Sequence, residues 1–307
     1  MIHAKKSLGQ NFLKSTKALE ATIDCAELNS KDIVLEIGPG KGSLTEKLLE
    51  KAGLVIAIEK DDRLIDFLEE KFKTAIKNEK LRIVHADILD LELNSKGIYL
   101  DCFAEARKDG FCKAKSVTES EDFCHCEELA TKQPRKENLN TKYKILDSKY
   151  KIIANIPYYI TGQLLRKFLE SDFQPKKMVL MVQKEVAERI IDSEKKENLL
   201  SLSVKAYGAP KYIKTVKAKD FSPSPKIDSA IILIDAISKD FFKDLDEKKF
   251  FKIIKMAFSS KRKVLVNNLS LIPKQELISI LEKLNISPKS RAEELHLEDW
   301  KKICKEI

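Results

Sequence analysis

The run Ile33-Val34-Leu35-Glu36-Ile37-Gly38-Pro39-Gly40-Lys41-Gly42 constrains the fold more than any other stretch of the chain. Its first half reads as a strand buried on both faces. Glycines at alternate positions follow, and Ser43 to Ala52 then carries helical spacing. A buried strand turning on glycines into a helix opens a βαβ unit, so the sheet is expected to be parallel and covered by helices. The alternation continues. Leu54–Ile58 reads as a strand closed by Glu59, Asp61 to about Lys77 as a helix, and Leu81–Ala86 as a strand closed by Asp87. A helical segment, Ala18–Leu28, precedes the whole series.

Further on, Lys151–Ala154 reads as a buried strand, Gln163–Glu170 as a helix, Met178–Val182 as a strand and Lys184–Asp192 as a helix. Tyr212–Val216 and Ala230–Ile234 look like a final antiparallel pair, giving about seven strands. From about Phe241 the spacing is helical only. Phe250, Ile254, Ala257, Phe258, Leu265 and Leu269 form one series, Leu277 to Leu284 another, and Trp300 with Ile303 a third. At 307 residues the chain is long enough for two domains. The boundary is expected near residue 237, with an α/β domain over 1–236 and a smaller all-α domain over 237–307.

Between Leu91 and Lys149 the periodicity fails. Residues 92–149 are polar and charge-balanced, and read as an insertion, a small subdomain or a disordered stretch. They hold Cys102, Cys112, Cys124, His125 and Cys126. Structural zinc sites favour ligand pairs two to four residues apart, and three adjacent ligands cannot easily reach one tetrahedral ion, so no metal is expected.

The formal net charge is +9, and it is unevenly spread. Residues 1–90 carry 15 basic and 16 acidic groups, whereas 151–236 carry 15 against 10 and 237–307 carry 16 against 11. A basic second half suits a polyanion such as RNA, because neutralised phosphates release counterions. A solvated lysine-rich surface would give the same count. No apolar run is long enough to cross a bilayer, and the first residues, Met1-Ile2-His3-Ala4-Lys5-Lys6, lack the apolar core of a signal peptide. A cytoplasmic protein with reduced cysteines is expected.

Glycines after the first strand let the backbone approach a ligand. Glu59, 21 residues after Gly38, ends the second strand, where a carboxylate can take both hydroxyls of a ribose. The pattern reads as a nucleoside-cofactor site. A dinucleotide fingerprint prefers Gly-x-Gly-x-x-Gly, whereas here the third glycine comes one position early and Glu36 precedes the loop. An acidic residue there would repel a pyrophosphate and tolerate the cationic methionine end of S-adenosylmethionine. Asp87 is placed to accept an adenine amine, and would equally serve as a helix cap. Directly after the fourth buried strand come Asn155-Ile156-Pro157-Tyr158. An amide and a backbone carbonyl can accept hydrogen bonds from a ring amine while an aromatic stacks on the ring.

Together these residues resemble the ribosomal RNA adenine-N6,N6-dimethyltransferase family. The likeness covers nearly all of the chain outside 92–149. It rests on Leu8-Gly9-Gln10-Asn11-Phe12-Leu13, on Leu35 to Thr45, on Asn155 to Thr161, and on Phe221-Ser222-Pro223-Ser224-Pro225-Lys226-Ile227-Asp228-Ser229. Ser260–Lys263, Asn267-Asn268-Leu269 and Arg291–Leu295 in the helical part add to it. The resemblance implies a Rossmann-like class I methyltransferase fold with a seven-stranded sheet, and an enzyme that dimethylates two adjacent adenosines near the 3′ end of 16S rRNA in the small ribosomal subunit. It implies S-adenosylmethionine contacts from Asn11, Leu13, Gly38, Gly40, Glu59, Asp87 and Asn155. By the same likeness, Asn155 and the Pro157 carbonyl would hold the target amine, and Tyr158 and Phe221 would stack on the base. Lysines and Arg262 of the helical domain would contact rRNA. A monomer is expected. Two other functions share the fold: a 23S rRNA dimethyltransferase of the macrolide-resistance type, and a non-catalytic ribosome assembly factor. A dinucleotide-dependent oxidoreductase would leave Asn155–Tyr158 and the basic helical part unexplained.

Overall fold

The computed structural model describes residues 4–5, 8–101, 104–106, 112–114, 142–146, 148–191, 196–260 and 262–307. The chain forms two compact units, 1–183 with 213–233, and 184–212 with 234–307.

The first unit opens with a two-residue strand, β1 (Phe12–Leu13), and a helix, α1 (Thr16–Ala26). There follow β2 (Ile33–Ile37), α2 (Ser43–Lys51), β3 (Leu54–Glu59), α3 (Asp62–Lys71), α4 (Lys73–Lys77) and β4 (Leu81–His85). The helix expected over Asp61–Lys77 is thus two helices that meet at Phe72. The 92–149 stretch supplies β5 (Glu92–Asn94), β6 (Gly97–Asp101), β7 (Ala104–Ala106), β8 (Cys112–Ala114) and β9 (Lys142–Leu146). After it come β10 (Tyr150–Asn155), α5 (Thr161–Leu169) and β11 (Lys177–Gln183).

The main sheet runs β12-β14-β11-β10-β2-β3-β4, where β12 is Ala209–Val216 and β14 is Ser229–Asp235. Two short strands, β8 and β7, extend it beyond β4. Strands β11, β10, β2, β3 and β4 are parallel, with Ala154 opposite Leu180, Ile152 opposite Leu35, Leu35 opposite Ile56 and Ala57 opposite Ile83. From β2 the chain builds outward through β3 and β4, then returns to lay β10 on the other side of β2. That reversal leaves a crevice at the carboxyl ends of β2 and β10, where ligands of open α/β sheets bind.

Both faces of the sheet are covered, which is why its strands read as continuous apolar runs. Val34, Val55, Ala57 and Ile153 pack with Leu19 and Ile23 of α1, Leu48 of α2 and Leu64 and Leu68 of α3. The opposite face carries Tyr150, whose ring meets Phe168 of α5 edge-on at 6.5 Å and stacks on Phe173 at 5.3 Å. Lys151 is buried yet satisfied. Its Nζ donates to the carbonyls of Ala26 and Glu27, closing the C-terminus of α1, and to Asp32 Oδ2 at 3.0 Å.

Within 92–149, β5, β6 and β9 form a small antiparallel sheet. Strand β8 joins the main sheet through Lys113 opposite His85. Cys102, Cys124, His125 and Cys126 lie outside the described residues, and Cys112 falls in β8.

The second unit contains α6 (Lys184–Ile191), α7 (Leu199–Tyr207), α8 (Glu247–Ala257), α9 (Lys274–Lys283) and α10 (Leu297–Glu306). The sequence placed 184–212 with the first domain; here it groups with the C-terminal helices. The reason is aromatic. Tyr207 at the end of α7 stacks on Phe251 of α8 and meets Phe242, while its hydroxyl donates to Glu247. The helical series Phe250–Leu269 is broken after Ala257, where Asn268 Nδ2 donates to the carbonyls of Ala257 and Ser260 and ends α8.

Candidate active site

The carboxyl ends of β2, β3, β4 and β10 surround one cavity, which Asn11, Leu13, Gly38, Gly40, Glu59 and Asp87 line. Asn155, Pro157 and Tyr158 line the same cavity. Gly38, Gly40 and Gly42 all adopt left-handed backbone, with φ of +67°, +59° and +77°. A Cβ at Gly38 would meet nothing within 4 Å, so this glycine faces the open cavity; a Cβ at Gly40 would lie 3.0 Å from the ring of Phe12. The positive φ favours glycine at both positions, and at Gly40 the Phe12 ring leaves a side chain little room.

Glu36 lies under the loop, 1% exposed. Its Oε2 accepts a 2.7 Å hydrogen bond from Thr45 Oγ1, while Oε1 has no hydrogen-bond partner among the described residues. Burial pushes its carboxyl up to about 8. Among the described residues, Glu59 is held by backbone N–H groups. Oε1 accepts from Lys60 and Asp61 at 2.9 Å each, and Oε2 from Gly40 at 3.2 Å. Burial raises its carboxyl and these donors oppose the shift.

Asp61 begins the next turn and is buried. It caps α3, accepts a fork from Arg63 Nε and Nη2 at 2.9 and 2.6 Å, and accepts from Gln10 Nε2 at 2.8 Å and Lys5 Nζ at 3.2 Å. The Arg63 guanidinium holds this carboxyl far below the usual range, despite burial. The effect is to tie the N-terminal segment to the end of β3. Phe12 then sits on Gly40, with the Lys41 ammonium 5.0 Å from its ring centroid. Beyond it, Phe12 and Leu13 pair with Ser222 and Phe221 of a second two-residue strand, β13 (Phe221–Ser222).

Asp87 accepts from Leu89 N at 2.9 Å through Oδ1 and from Lys60 Nζ at 2.5 Å through Oδ2. It therefore caps its own turn and carries an ion pair. Asn155 ends β10, and its Nδ2 donates to the Asn11 carbonyl at 3.2 Å. That bond fixes the amide with Oδ1 as its remaining acceptor. The Pro157 carbonyl accepts from Ile160 N at 3.2 Å, and the Tyr158 hydroxyl is 2.6 Å from Ser229 Oγ, which holds the ring in place.

Phe221 is placed differently from the expectation. It is 2% exposed and packs in the core with Leu13, and it is not among the residues that line the cavity. Its backbone pairs with Leu13, and both side chains belong to the core. Several interactions had no mark in the sequence: the Lys60–Asp87 pair, Ser229 under Tyr158, and the reach of Lys5 and Gln10 to Asp61. Only Asp61 itself carried a signal, as an acidic residue between strand end and helix.

The donor set fits S-adenosylmethionine. Glu36 offers a buried oxygen, without a hydrogen-bond partner among the described residues, beneath an open glycine loop, and a cationic ligand end beside it would favour its ionised form. Glu59 keeps acceptor capacity for a hydroxyl donor on Oε2, which takes one hydrogen bond, whereas Oε1 already takes two.

A parallel sheet with this strand order, its crevice between β2 and β10 and its acidic second-strand end defines a class I methyltransferase. A family model described as "Ribosomal RNA adenine dimethylase" matches residues 1–307. The Dehalococcoides mccartyi protein named ribosomal RNA small subunit methyltransferase A is 38% identical over 308 residues, covering 99% of this chain and 89% of its own. A Clostridium botulinum protein of the same name is 32% identical over 302 residues, with 97% and 92% covered. Among solved structures, a dimethyladenosine transferase from Plasmodium falciparum superposes with a TM-score of 0.65 at 25% identity, over 95% of both chains. The 23S rRNA methyltransferase ErmE superposes at 0.64 and 20% identity, over 96% and 99%, a likeness of fold alone. The chain belongs to the ribosomal RNA adenine dimethylase family, and it is an rRNA methyltransferase.

Proposed function

We propose that this chain dimethylates N6 of two adjacent adenosines near the 3′ end of 16S rRNA in the small ribosomal subunit, with S-adenosylmethionine as donor. The observation that carries the proposal is the cavity itself, which Asn155, Pro157 and Tyr158 line together with Gly38, Gly40 and Glu59. The small-subunit assignment draws on the relatives of that name. Among the described residues no helix is long and apolar enough to cross a membrane. A ribosomal substrate goes with a cytoplasmic location, and the expected monomer is checked by sedimentation.

In this proposal Glu59 accepts the ribose hydroxyls, Asp87 the cofactor adenine amine, and the backbone of Asn11 to Leu13 covers the ligand. The cofactor supplies an electrophilic methyl group on a sulfonium. The target N6 lone pair is delocalised into the ring and needs help to attack. Asn155 Oδ1 and the Pro157 carbonyl accept its N–H groups and favour a pyramidal nitrogen aimed along the line of displacement. Tyr158, fixed through Ser229, stacks on the base. Phe221 backs Leu13 and acts on the site through the N-terminal segment. Positioning supplies most of the rate, and no strong base is required, because the methylated amine sheds its proton afterwards. The second transfer needs only one N6 proton, which either acceptor can take.

In the second unit, Lys252, Lys255, Arg262 and Lys263 are exposed and are proposed to bind rRNA phosphates; Lys261 lies outside the described residues. Replacing any one of these cations with alanine should lower the salt slope of rRNA binding by just under one unit.

The test is incubation with labelled S-adenosylmethionine and separated, unmethylated ribosomal subunits, followed by mass spectrometry of RNA fragments. Dimethyladenosine at adjacent positions near the 3′ end of 16S rRNA is expected. Label confined to the large subunit would move the chain to the resistance type. Cofactor binding without transfer to either subunit would make it an assembly factor.

A further inference from the structure

The mouth of the cavity carries an aromatic residue that the reaction described above does not use. Residues Tyr158–Ile160 form a single 3₁₀ turn, in which successive side chains point about 120° apart. Tyr158 turns toward Ser229, and Ile160 is buried in the core. Tyr159 turns outward. It is 62% exposed, more than any other large hydrophobic side chain among the described residues, and it still lines the cavity. Its ring is propped from below. The Cδ1–Cε1 side lies against Gly9, where a Cβ would come within 3.3 Å of Cε1 and 3.4 Å of Cδ1. Gly9 has φ of +63° and sits in the N-terminal segment tied to Asp61 through Gln10. A tyrosine braced along one edge, largely exposed, and placed at the entrance next to Tyr158 can serve as a stacking platform.

The chemistry of the substrate gives the platform something to hold. When one of two adjacent adenosines enters the cavity, the other remains at its mouth. We propose that Tyr159 is a positioning residue that stacks on the base adjoining the target adenosine and so presents a two-purine, single-stranded RNA segment to Asn155. This rests on the function proposed above. Stacking tolerates any base, so Tyr159 contributes to binding of the segment and not to the choice of reacting atom.

The test compares wild type with Tyr159→Ala, Tyr159→Phe and Tyr159→Trp, using unmethylated small subunits for kinetics and S-adenosylhomocysteine for cofactor binding. Tyr159→Ala should raise KM for the subunit about tenfold, the order expected when one base stack is removed. It should leave kcat and the S-adenosylhomocysteine Kd within about twofold. Tyr159→Phe and Tyr159→Trp should keep the wild-type KM. A short RNA with 2-aminopurine next to the target adenosine should change its fluorescence on binding wild type and not on binding Tyr159→Ala. Wild-type activity with an unchanged KM in Tyr159→Ala would overturn the inference alone. A Tyr159→Phe defect equal to that of Tyr159→Ala would overturn stacking in favour of the hydroxyl. Wild-type inactivity on small subunits would overturn the functional proposal and this inference with it.

Discussion

Asn155 Nδ2 donates to the Asn11 carbonyl at 3.2 Å, joining residues 144 positions apart in sequence. The residue proposed to hold the target amine is thereby also the residue that steadies the N-terminal segment. Asn155→Ala should lower kcat by about 10² or more, on the scale of removing a positioned polar group from a transition state. It should weaken S-adenosylhomocysteine binding by only a few-fold and leave the melting temperature close to wild type. Single-turnover methylation with calorimetry on the same preparations checks this, and transfer at the wild-type rate would remove Asn155 from its role.

Asp61 is the second anchor of that segment. Asp61→Ala should weaken S-adenosylhomocysteine binding about tenfold by releasing Lys5 and Gln10, and should cost about 1–3 kcal/mol through the missing cap and the unpaired Arg63 fork. The pH sign follows from the lowered carboxyl. The stabilisation is present above the unfolded carboxylate value and is lost as pH falls through the folded one. Melts of wild type and Asp61→Ala should converge toward strong acid.

Glu36 has the opposite sign. Its folded value of about 8 lies above the ordinary 4.5. The folded protein keeps this proton where the unfolded chain has lost it, so the stability due to Glu36 is full below about 4.5 and is lost as pH rises to about 8. Glu36→Gln, which imitates the neutral acid, should flatten the pH dependence of thermal stability between those limits. An unchanged slope would show that Glu36 is ionised in the folded protein.

Lys151 offers a test of the frame. Its side chain and that of Asp32 are each 11% exposed, and its ammonium also caps two carbonyls of α1. Lys151→Met removes the charge at similar volume and strands the partners, at a cost of about 2–4 kcal/mol. The urea midpoint should fall accordingly, with cofactor affinity of the folded fraction unchanged.

What could be read in advance was what lies close together in the chain. Strand β2, its glycines and Glu59 follow from local pattern, because burial on both faces writes an apolar run and a left-handed turn writes glycine. Asn155–Tyr158 was legible for the same reason, as a rigid polar motif at a strand end. Pairings across the chain were not legible. Phe12–Leu13 and Phe221–Ser222 are each too short to show a period, so nothing local announced that they pair, or that Phe221 would be buried in the core with Leu13. Helix α7 was missed because Leu199–Tyr207 is apolar almost all round and shows little periodicity. Lys60 could not be tied to Asp87 before the register of β3 and β4 was known.

The strands that end at the cavity also act as rulers. Asn155 lies opposite Met181 and Ile153 opposite Glu36, so reach across the crevice is counted in whole residues. One residue added to or taken from β10 would turn Asn155 to the other face of the sheet, and two would carry it about 7 Å past the glycine loop. Substitution in these strands can be absorbed by repacking, but a change in their length cannot. Descent within this enzyme's lineage should therefore show free exchange of aliphatic residues in β2, β3 and β10 alongside a fixed residue count in each.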